Sequence, residues 1–247
     1  MEREEYHKHF LFEQNHWWFK GRRKIVFPLL KRYLPYRKLS ILDTGCGAGL
    51  NMKYLEQLGD VSGVDISPVA LEYCAKRDLH NITLGSVNEL PYSDASFDVV
   101  TSFGVLYHKE VDDKKAIEEM FRVCKPGGVV AISTPAMKLL RHKFFRTSHD
   151  DAHHTARRHS KKELNTLLEN AGFNVQKISY HTTLLFFPAL LFRMANNVIR
   201  EKDSELQTFP GKLDEILARV MYLEAPIIKR WSLPFGMGLV AIAKKPE

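Results

Sequence analysis

An acid followed by alternating glycines could bind a charged ligand close to the main chain. Residues 41–49 read ILDTGCGAG, in which Asp43 precedes Gly45, Gly47 and Gly49. Glycine lets the backbone turn with positive φ and lets a ligand approach the main chain with no Cβ in the way. A loop of this kind after an apolar strand is typical of a cofactor site at the carboxyl end of a parallel strand.

The glycine spacing and the acid together indicate which cofactor the loop suits. A dinucleotide loop reads G-x-G-x-x-G and rests a pyrophosphate on a helix N-terminus, whereas residues 45–49 read G-x-G-x-G. The Asp43 carboxylate would repel a pyrophosphate but would attract S-adenosylmethionine (SAM), which carries an ammonium and a sulfonium. The sequence has no G-x-x-x-x-G-K-[ST] loop, which argues against an NTPase.

A second acid follows in the segment VSGVDIS, residues 61–67. Asp65 ends a predicted apolar strand, 20 positions after Gly45. An acid at this offset accepts hydrogen bonds from ribose hydroxyls in nucleotide-binding sheets. We therefore interpret Asp65 as a ribose-binding residue.

Histidines and arginines could handle a second substrate. His108 follows a predicted fourth strand, and residues 149–160 read HDDAHHTARRHS. A histidine can act as a general base near neutral pH, and an arginine can bind an acidic group. The spacing of the acids and histidines matches no standard closed metal site, so no metal is predicted. The candidate bases are His108, His153 and His154, and the candidate acceptor-binding cations are Arg157 and Arg158.

The elements that must position these residues alternate between strands and helices. Apolar runs bounded by turn residues predict the strands, and amphipathic segments lie between them. This order favours a parallel sheet with helices on both faces. The clearest strands after the first are at residues 61–66, 96–102, 129–133, 172–180 and 236–243.

Taken in order, the motifs resemble the class I SAM-dependent methyltransferases of the type 11/12-like group. They are ILDTGCGAG, VDIS, LPYSDASFDVV, VLYH and CKPGG, and they cover residues 39–135. The resemblance implies an α/β fold with a seven-stranded, doubly wound sheet whose last strand is antiparallel. It also implies SAM as the cofactor, methyl transfer as the activity and S-adenosylhomocysteine as the product.

The resemblance also implies roles for individual residues. Asp43 and the loop glycines would line the methionine part of SAM, Asp65 would hold the ribose, and Ile66 would pack on the adenine. Tyr107 and His108 would lie against SAM and the acceptor, and we treat both as candidate catalytic residues. The remaining cofactor residues that it implies are Gly45, Cys46, Gly47, Gly49, Ser86, Val87, Asn88 and Phe103.

The N-terminal segment is rich in aromatics and arginines. Residues 10–27 hold six aromatics and two arginines, and a group of bacterial and archaeal methyltransferases has a similar HWWFxGRR opening. An aromatic face attracts a cation, so we predict a helical lid in which Trp18, Phe19 and Arg22 cover SAM. In the alternative interpretation these aromatics cap the core and the arginines are solvated.

A long segment separates the sixth strand from the last one. We predict one domain over residues 1–247. The apolar residues of the long segment recur at helical spacing, which predicts a helical insert. The insert could pack in the core or on a second copy, roof an apolar acceptor pocket, or contact a membrane surface through residues 184–200. The predicted parts are the lid 1–38, the SAM-binding core 39–181, the insert 182–235 and the last strand 236–247.

Composition narrows the function classes further. The chain has a net charge of +7 at pH 7, but the basic residues are scattered in pairs, which disfavours nucleic acid as a partner. Three cysteines lie in or beside predicted core elements and indicate a reducing compartment. The charged N-terminus lacks the apolar core of a signal peptide, and we predict a cytoplasmic protein.

The sequence therefore predicts a SAM-dependent enzyme that methylates a small molecule. The acceptor atom would be an oxygen of a sugar, a lipid-linked molecule or another apolar or acidic metabolite. Three alternatives stay open: a methyltransferase acting on RNA or protein, a SAM-binding regulatory protein without transferase activity, and a dehydrogenase. Asp43 and the glycine spacing disfavour the last of these.

Overall fold

A computed structural model describes residues 3–137, 156–199 and 212–247 of the chain. Its described strands form one seven-stranded sheet in the order β3-β2-β1-β4-β5-β7-β6. β7 is antiparallel to both of its neighbours, whereas the β1–β2, β1–β4, β2–β3 and β4–β5 pairs are parallel. The predicted fold class, with its antiparallel last strand, is confirmed. The strands are β1 (Leu39–Thr44), β2 (Gly59–Asp65), β3 (Ile82–Leu84), β4 (Phe97–Phe103), β5 (Cys124–Pro135), β6 (Asn174–His181) and β7 (Gly238–Lys244).

Helices precede the sheet, connect its strands and form the segment between β6 and β7. α5 begins at an aspartate N-cap, Asp112, whose carboxylate accepts the backbone N–H groups of Lys114 and Lys115. α6 begins with a reciprocal capping box between Ser160 and Glu163. The helices are α1 (Arg3–Phe12), α2 (Trp17–Lys31), α3 (Leu50–Leu55), α4 (Pro68–Ala75), α5 (Asp113–Val123), α6 (Lys161–Asn170), α7 (Phe186–Ile199), α8 (Leu213–Tyr222) and α9 (Glu224–Arg230).

Apolar residues that follow one another along the strands build a core on each face of the sheet. Successive side chains of a strand point to opposite faces, so Leu42 joins the cluster under α5 and α6, while Ile41 joins the cluster under α2, α8 and α9. Val130 and Val129 divide in the same way. Both faces of the sheet are therefore covered, as in other parallel sheets.

The insert helices α8 and α9 pack against α2 rather than standing apart from the core. Met221 and Ile228 are buried in the same apolar cluster as Ile25 and Leu29 of α2. The N-terminal helices and the late insert thus form one layer on the sheet, although they are far apart in sequence.

Candidate active site

One cavity of about 300 Å³ lies beyond the carboxyl ends of the parallel strands. Most of the residues predicted for the site line this cavity, together with residues of α1, α2, α7 and the turn before β7. This location agrees with the rule that ligands of open α/β sheets bind outside the carboxyl ends of the strands. The predicted residues that line it are Trp18, Phe19, Arg22, Gly45, Cys46, Gly47, Asp65, Ile66, Ser86, Val87, Phe103, Tyr107, His108 and Arg158.

The glycines of the first loop serve different purposes. Gly47 has φ of 57°, and a Cβ placed on it would meet nothing within 4 Å, so its open face lies on the cavity. Gly49 has φ of 84°, and its Cβ would approach Leu79 to 2.6 Å and Cys74 Sγ to 2.8 Å. Gly49 therefore allows close packing and does not line the cavity, and its contact with the methionine part of SAM stays a prediction.

The Asp65 carboxylate lies in the cavity wall and organises the loop. Its Oδ2 accepts the Gly47 N–H at 2.9 Å, and its Oδ1 accepts the Ser67 N–H and the Tyr6 hydroxyl, each at 3.0 Å. Burial raises the pKa of Asp65, while these hydrogen bonds lower it. Tyr6 reaches this carboxylate from α1, and no sequence pattern around Tyr6 pointed to such a contact.

Asp43 is buried beneath the cavity rather than in its wall. Its Oδ1 accepts the Thr101 hydroxyl at 2.7 Å, and its Oδ2 has no hydrogen-bond partner among the described residues. Burial raises the pKa of Asp43 to about 7, although the Thr101 hydrogen bond and the charge of Arg22 lower it. Asp43 titrates near neutral pH, and in its ionised form it can act on a cation in the cavity through its charge.

Arg22 brings a buried positive charge to the cavity wall. Its guanidinium lies 4.7 Å from the ring centroid of Trp18 and 5.5 Å from that of Phe19. Burial, followed by the charge of Arg23, lowers the pKa of Arg22 to about 10, so it stays protonated at neutral pH. The two aromatic rings that we predicted next to a cofactor cation are in contact with the Arg22 cation.

The segment after β4 forms the centre of the cavity wall. The rings of Tyr107 and His108 are stacked with centroids 4.2 Å apart, and both residues line the cavity. The backbone N–H of Ala156 donates to the Tyr107 carbonyl at 2.9 Å, which ties this segment to the one before α6. His153 and His154 lie outside the described residues. His108 is therefore the candidate base whose position the structure describes.

Arg157 and Arg158 have different surroundings although they are adjacent. The Arg157 guanidinium donates to the Val111 carbonyl and lies 3.8 Å from the Asp113 carboxylate. These contacts connect Arg157 to the segment between β4 and α5. Arg158 is buried, lines the cavity, and donates to the Ala136 carbonyl at 3.3 Å. Arg158 therefore lies in the cavity wall and Arg157 does not, and the acceptor roles that we predicted for both stay predictions.

Asn88 also has a structural position rather than one in the cavity wall. Its side-chain amide donates to the Glu110 carbonyl at 3.1 Å, and its Oδ1 accepts the Asp112 N–H at 3.0 Å. Both hydrogen bonds connect the loop after β3 to the start of α5. Ser86 and Val87 line the cavity, whereas Asn88 does not, and the cofactor contacts of all three stay predictions.

The cavity has two halves of different character, which follow from the strand order. The ends of β1 and β2 contribute backbone and acids, including Asp65. The ends of β5 and β7 lie on the other side of β4, and there apolar side chains accompany Arg158. The apolar residues of that half are Pro135, Ala189, Phe192 and Met237. Within the described part of the chain, no cluster of three or more His, Cys, Asp or Glu side chains could hold a metal ion.

Comparison with known proteins gives a family for this arrangement. Residues 42–132 match the family model of a methyltransferase domain. The probable S-adenosylmethionine-dependent methyltransferase of Mycolicibacterium smegmatis is 33% identical over 168 residues, which cover 67% of this chain and 62% of that protein. The probable tRNA methyltransferase 9B of Mus musculus is 30% identical over 148 residues, or 58% of this chain and 33% of that protein.

A solved structure of a SAM-dependent methyltransferase of Thermotoga maritima shares the fold. It superposes with a TM-score of 0.60 at 19% identity and covers 98% of this chain and 95% of that one. The chain spans less than two thirds of the length of both curated relatives. Residues 42–132 are therefore a methyltransferase domain, and the chain has the sheet order and the fold of class I SAM-dependent methyltransferases.

Proposed function

We propose that this protein transfers the methyl group of SAM to an oxygen of a small, partly apolar acceptor that carries an acidic group. The observation that carries the proposal is the continuous cavity with two unlike halves. One half suits a cofactor with both positive and negative charges. The other half combines apolar side chains with the buried cation of Arg158.

The residues of the first half fit SAM. Bound there, SAM would supply an electrophilic methyl group on a positively charged sulfur. The open face at Gly47 leaves room for a ligand against the main chain. Asp65 has three of its roughly four acceptor positions filled, so a ribose hydroxyl can bind the remaining one or displace the Tyr6 hydroxyl. Asp43 and Arg22 supply charges that complement an ammonium and a carboxylate.

The second half supports an amphiphilic acceptor. Phe192, Ala189 and Met237 offer apolar surface, and a buried guanidinium pairs well with a carboxylate or phosphate because both can form two parallel hydrogen bonds. His108 would accept the proton of the acceptor hydroxyl, with Tyr107 stacked against it. Residues of α1 and α2 line the cavity, and a lid there would exclude water, which would favour a reaction that disperses charge.

The cysteines and the insert bear on the remaining parts of the proposal. Cys46, Cys74 and Cys124 are all free thiols, which supports the predicted cytoplasmic location.

Both α7 residues that line the cavity belong to the insert, which supports a role for the insert as a roof over the acceptor. A homodimer stays a prediction.

The test is a methyl-transfer assay with SAM labelled on its methyl group. We would offer a panel of small hydroxylated acids, each beside its neutral methyl ester, and measure label in the product. We expect transfer to apolar acids in preference to their esters, with a rise in KM for the acid in an Arg158→Gln variant. Equal turnover of acids and esters would show that the acceptor needs no acidic group.

A second candidate function is methylation of tRNA. The name of the Mus musculus relative and the net charge of +7 favour it. Unmodified tRNA therefore belongs in the same assay, and label in tRNA with none in the small molecules would replace our proposal by this one. SAM binding without transfer to either class would favour a regulatory SAM-binding protein.

We predict that Asp65→Ala weakens SAM binding by roughly 1–3 kcal/mol, because hydrogen bonds to a charged carboxylate are lost. Isothermal titration calorimetry with SAM measures the change. The matched control is Asp60→Ala in the same strand, since Asp60 is an exposed residue whose ion pair is with exposed Lys38. Unchanged affinity in the Asp65 variant would refute its ribose role.

A further inference from the structure

The insert helices α8 and α9 have an outer face that the described part of the chain leaves uncovered. Their inner side chains, including Met221 and Ile228, are buried against α2. On the outer side, Leu223 and Trp231 are 61% and 62% exposed. Four exposed apolar residues follow one another at helical spacing along the two helices, and we call them the α8–α9 face. They are Ile216, Leu223, Ile227 and Trp231.

The charges around this face are mainly positive. Between residues 212 and 232, all of which the structure describes, the exposed charged residues are cations, except that the Glu215 side chain is about half exposed. Both acids at the start of α8 are engaged: Asp214 accepts the Trp17 N–H at 3.1 Å, and Glu215 pairs with Lys20 and Arg219. The exposed cations are Lys212, Arg219, Lys229 and Arg230.

The positive charge is densest next to Trp231. The Arg230 guanidinium lies 5.3 Å from the Trp231 ring centroid, and Arg32 donates to the Lys229 carbonyl at 2.7 Å. Burial, followed by the charges of Lys161 and Arg32, lowers the pKa of Lys177 on the neighbouring strand β6. Cations therefore continue from α9 across the edge of the sheet.

From this arrangement we propose that the α8–α9 face docks on an anionic membrane surface. Apolar side chains and a tryptophan can enter the headgroup layer while arginines and lysines contact lipid phosphates. A symmetric dimer through this face would bring the same cations of two copies together, which opposes it. Within the described residues, no helix is both long and apolar enough to span a membrane, so the docking is peripheral.

This proposal concerns a different surface from the membrane contact predicted at residues 184–200. That segment has exposed apolar residues of its own, Leu184, Phe187 and Leu191, and lies in part outside the residues whose side chains the structure describes. Its membrane contact stays a prediction. The docking of the α8–α9 face also stands independently of the acceptor, because it requires no turnover.

The experiment is co-sedimentation of the purified protein with vesicles. We would compare phosphatidylcholine vesicles with vesicles of phosphatidylcholine and phosphatidylglycerol, and follow the shift in tryptophan fluorescence. Trp17 and Trp18 also fluoresce, so the Trp231→Ser change identifies the part of the shift that comes from Trp231. We expect binding at least about tenfold tighter to the anionic vesicles, since each basic residue near the surface adds to the attraction. High salt should reduce this difference.

Two double variants separate the apolar and the charged contributions. Ile227→Ser with Trp231→Ser should weaken binding by about tenfold or more, because apolar area no longer leaves water, and Lys229→Gln with Arg230→Gln should abolish the preference for anionic lipid. Leu84→Ser is the control, because Leu84 is 54% exposed on β3 at the other edge of the sheet from β6. SAM affinity by calorimetry should be unchanged in all three and reports an intact fold.

Three outcomes would overturn the proposal. The first is equal binding to neutral and anionic vesicles, and the second is anionic binding that the serine variant retains. The third is absence of binding to the anionic vesicles. If the protein then forms a dimer in analytical ultracentrifugation, or binds tRNA, and the serine variant loses that property, the face belongs to a second copy or to nucleic acid instead.

Discussion

Replacing Asp43 with asparagine should flatten the pH dependence of the unfolding free energy between about pH 4 and pH 7. Burial raises the pKa of Asp43 to about 7 in the folded protein, whereas an unfolded aspartate has a pKa of about 3.9. Between these values the folded state holds a proton that the unfolded chain releases. The wild-type protein therefore loses about 1.4 kcal/mol of stability per pH unit through Asp43 in this window.

The sign of this effect distinguishes Asp43 from an ordinary acid. Its contribution to stability is fully present below pH 4 and is lost as the pH rises through about 7. Asparagine cannot ionise, so the variant lacks this slope. Urea unfolding of the SAM-free protein at intervals of one pH unit measures it, and an unchanged slope in the variant would show that Asp43 titrates normally.

Asp98→Asn is a control with the opposite sign. Burial alone would raise the pKa of Asp98, but hydrogen bonds from Arg37, Ser40 and Lys125 outweigh it and hold that pKa well below its ordinary value. Stability from Asp98 is therefore present above the unfolded pKa and is lost as the pH falls. In acid, the free energy of unfolding of the Asp98 variant should therefore approach that of wild type. The free energy of unfolding of the Asp43 variant should differ from that of wild type most at pH 7 and above.

Replacing Glu224 with alanine should cost about 2–6 kcal/mol of stability, because two buried backbone donors lose their acceptor. Glu224 is fully buried, and its two carboxylate oxygens accept the N–H groups of Thr182 and Leu184 at 2.7 and 2.8 Å. Thr182 has φ of 59°, which is a strained conformation for a β-branched residue. The Glu224 carboxylate thus also holds a strained residue at the end of β6.

The contribution of Glu224 can be separated from that of an ordinary surface acid. Glu215→Ala is the control, since the described ion pairs of Glu215 are with partly exposed Lys20 and exposed Arg219 and surface pairs of this kind contribute little to stability. Glu224→Gln keeps an acceptor oxygen for one of the two N–H groups, so its loss of stability should lie between those of Glu224→Ala and Glu215→Ala. Thermal and urea unfolding measure all three, and a loss below about 1 kcal/mol in the Glu224→Ala variant would show that water satisfies the two N–H groups.

The sheet and the cofactor half of the cavity could be predicted because their signals are local. Asp43, the glycine loop and Asp65 lie close together in sequence, and apolar runs mark the strands. The sequence could not tell which way each residue faces. Gly49, Asn88 and Arg157 have the residue types of a binding site, yet their hydrogen bonds and packing are directed to neighbouring loops.

Contacts between distant segments were beyond any local pattern. Tyr6 meets Asp65 only because α1 lies over the cavity, and Glu224 is buried only because the chain returns past the end of β6. The amphipathic pattern of the insert predicted helices, but it could not show that α2 would cover one side of α8 and α9. The predicted division into lid, core, insert and last strand stays a prediction.

The position of β7 between β5 and β6 has a consequence for how the chain folds during its synthesis. β7 is translated after β6. Among the described strands, β5 therefore has no partner on that side, and β6 has no partner, until Gly238–Lys244 leave the ribosome. Unpaired strand edges recruit other chains, and pairings between distant segments form slowly. A ribosome that stalls within the insert would therefore hold a nascent chain with an open sheet edge, which makes late translation the stage most prone to aggregation.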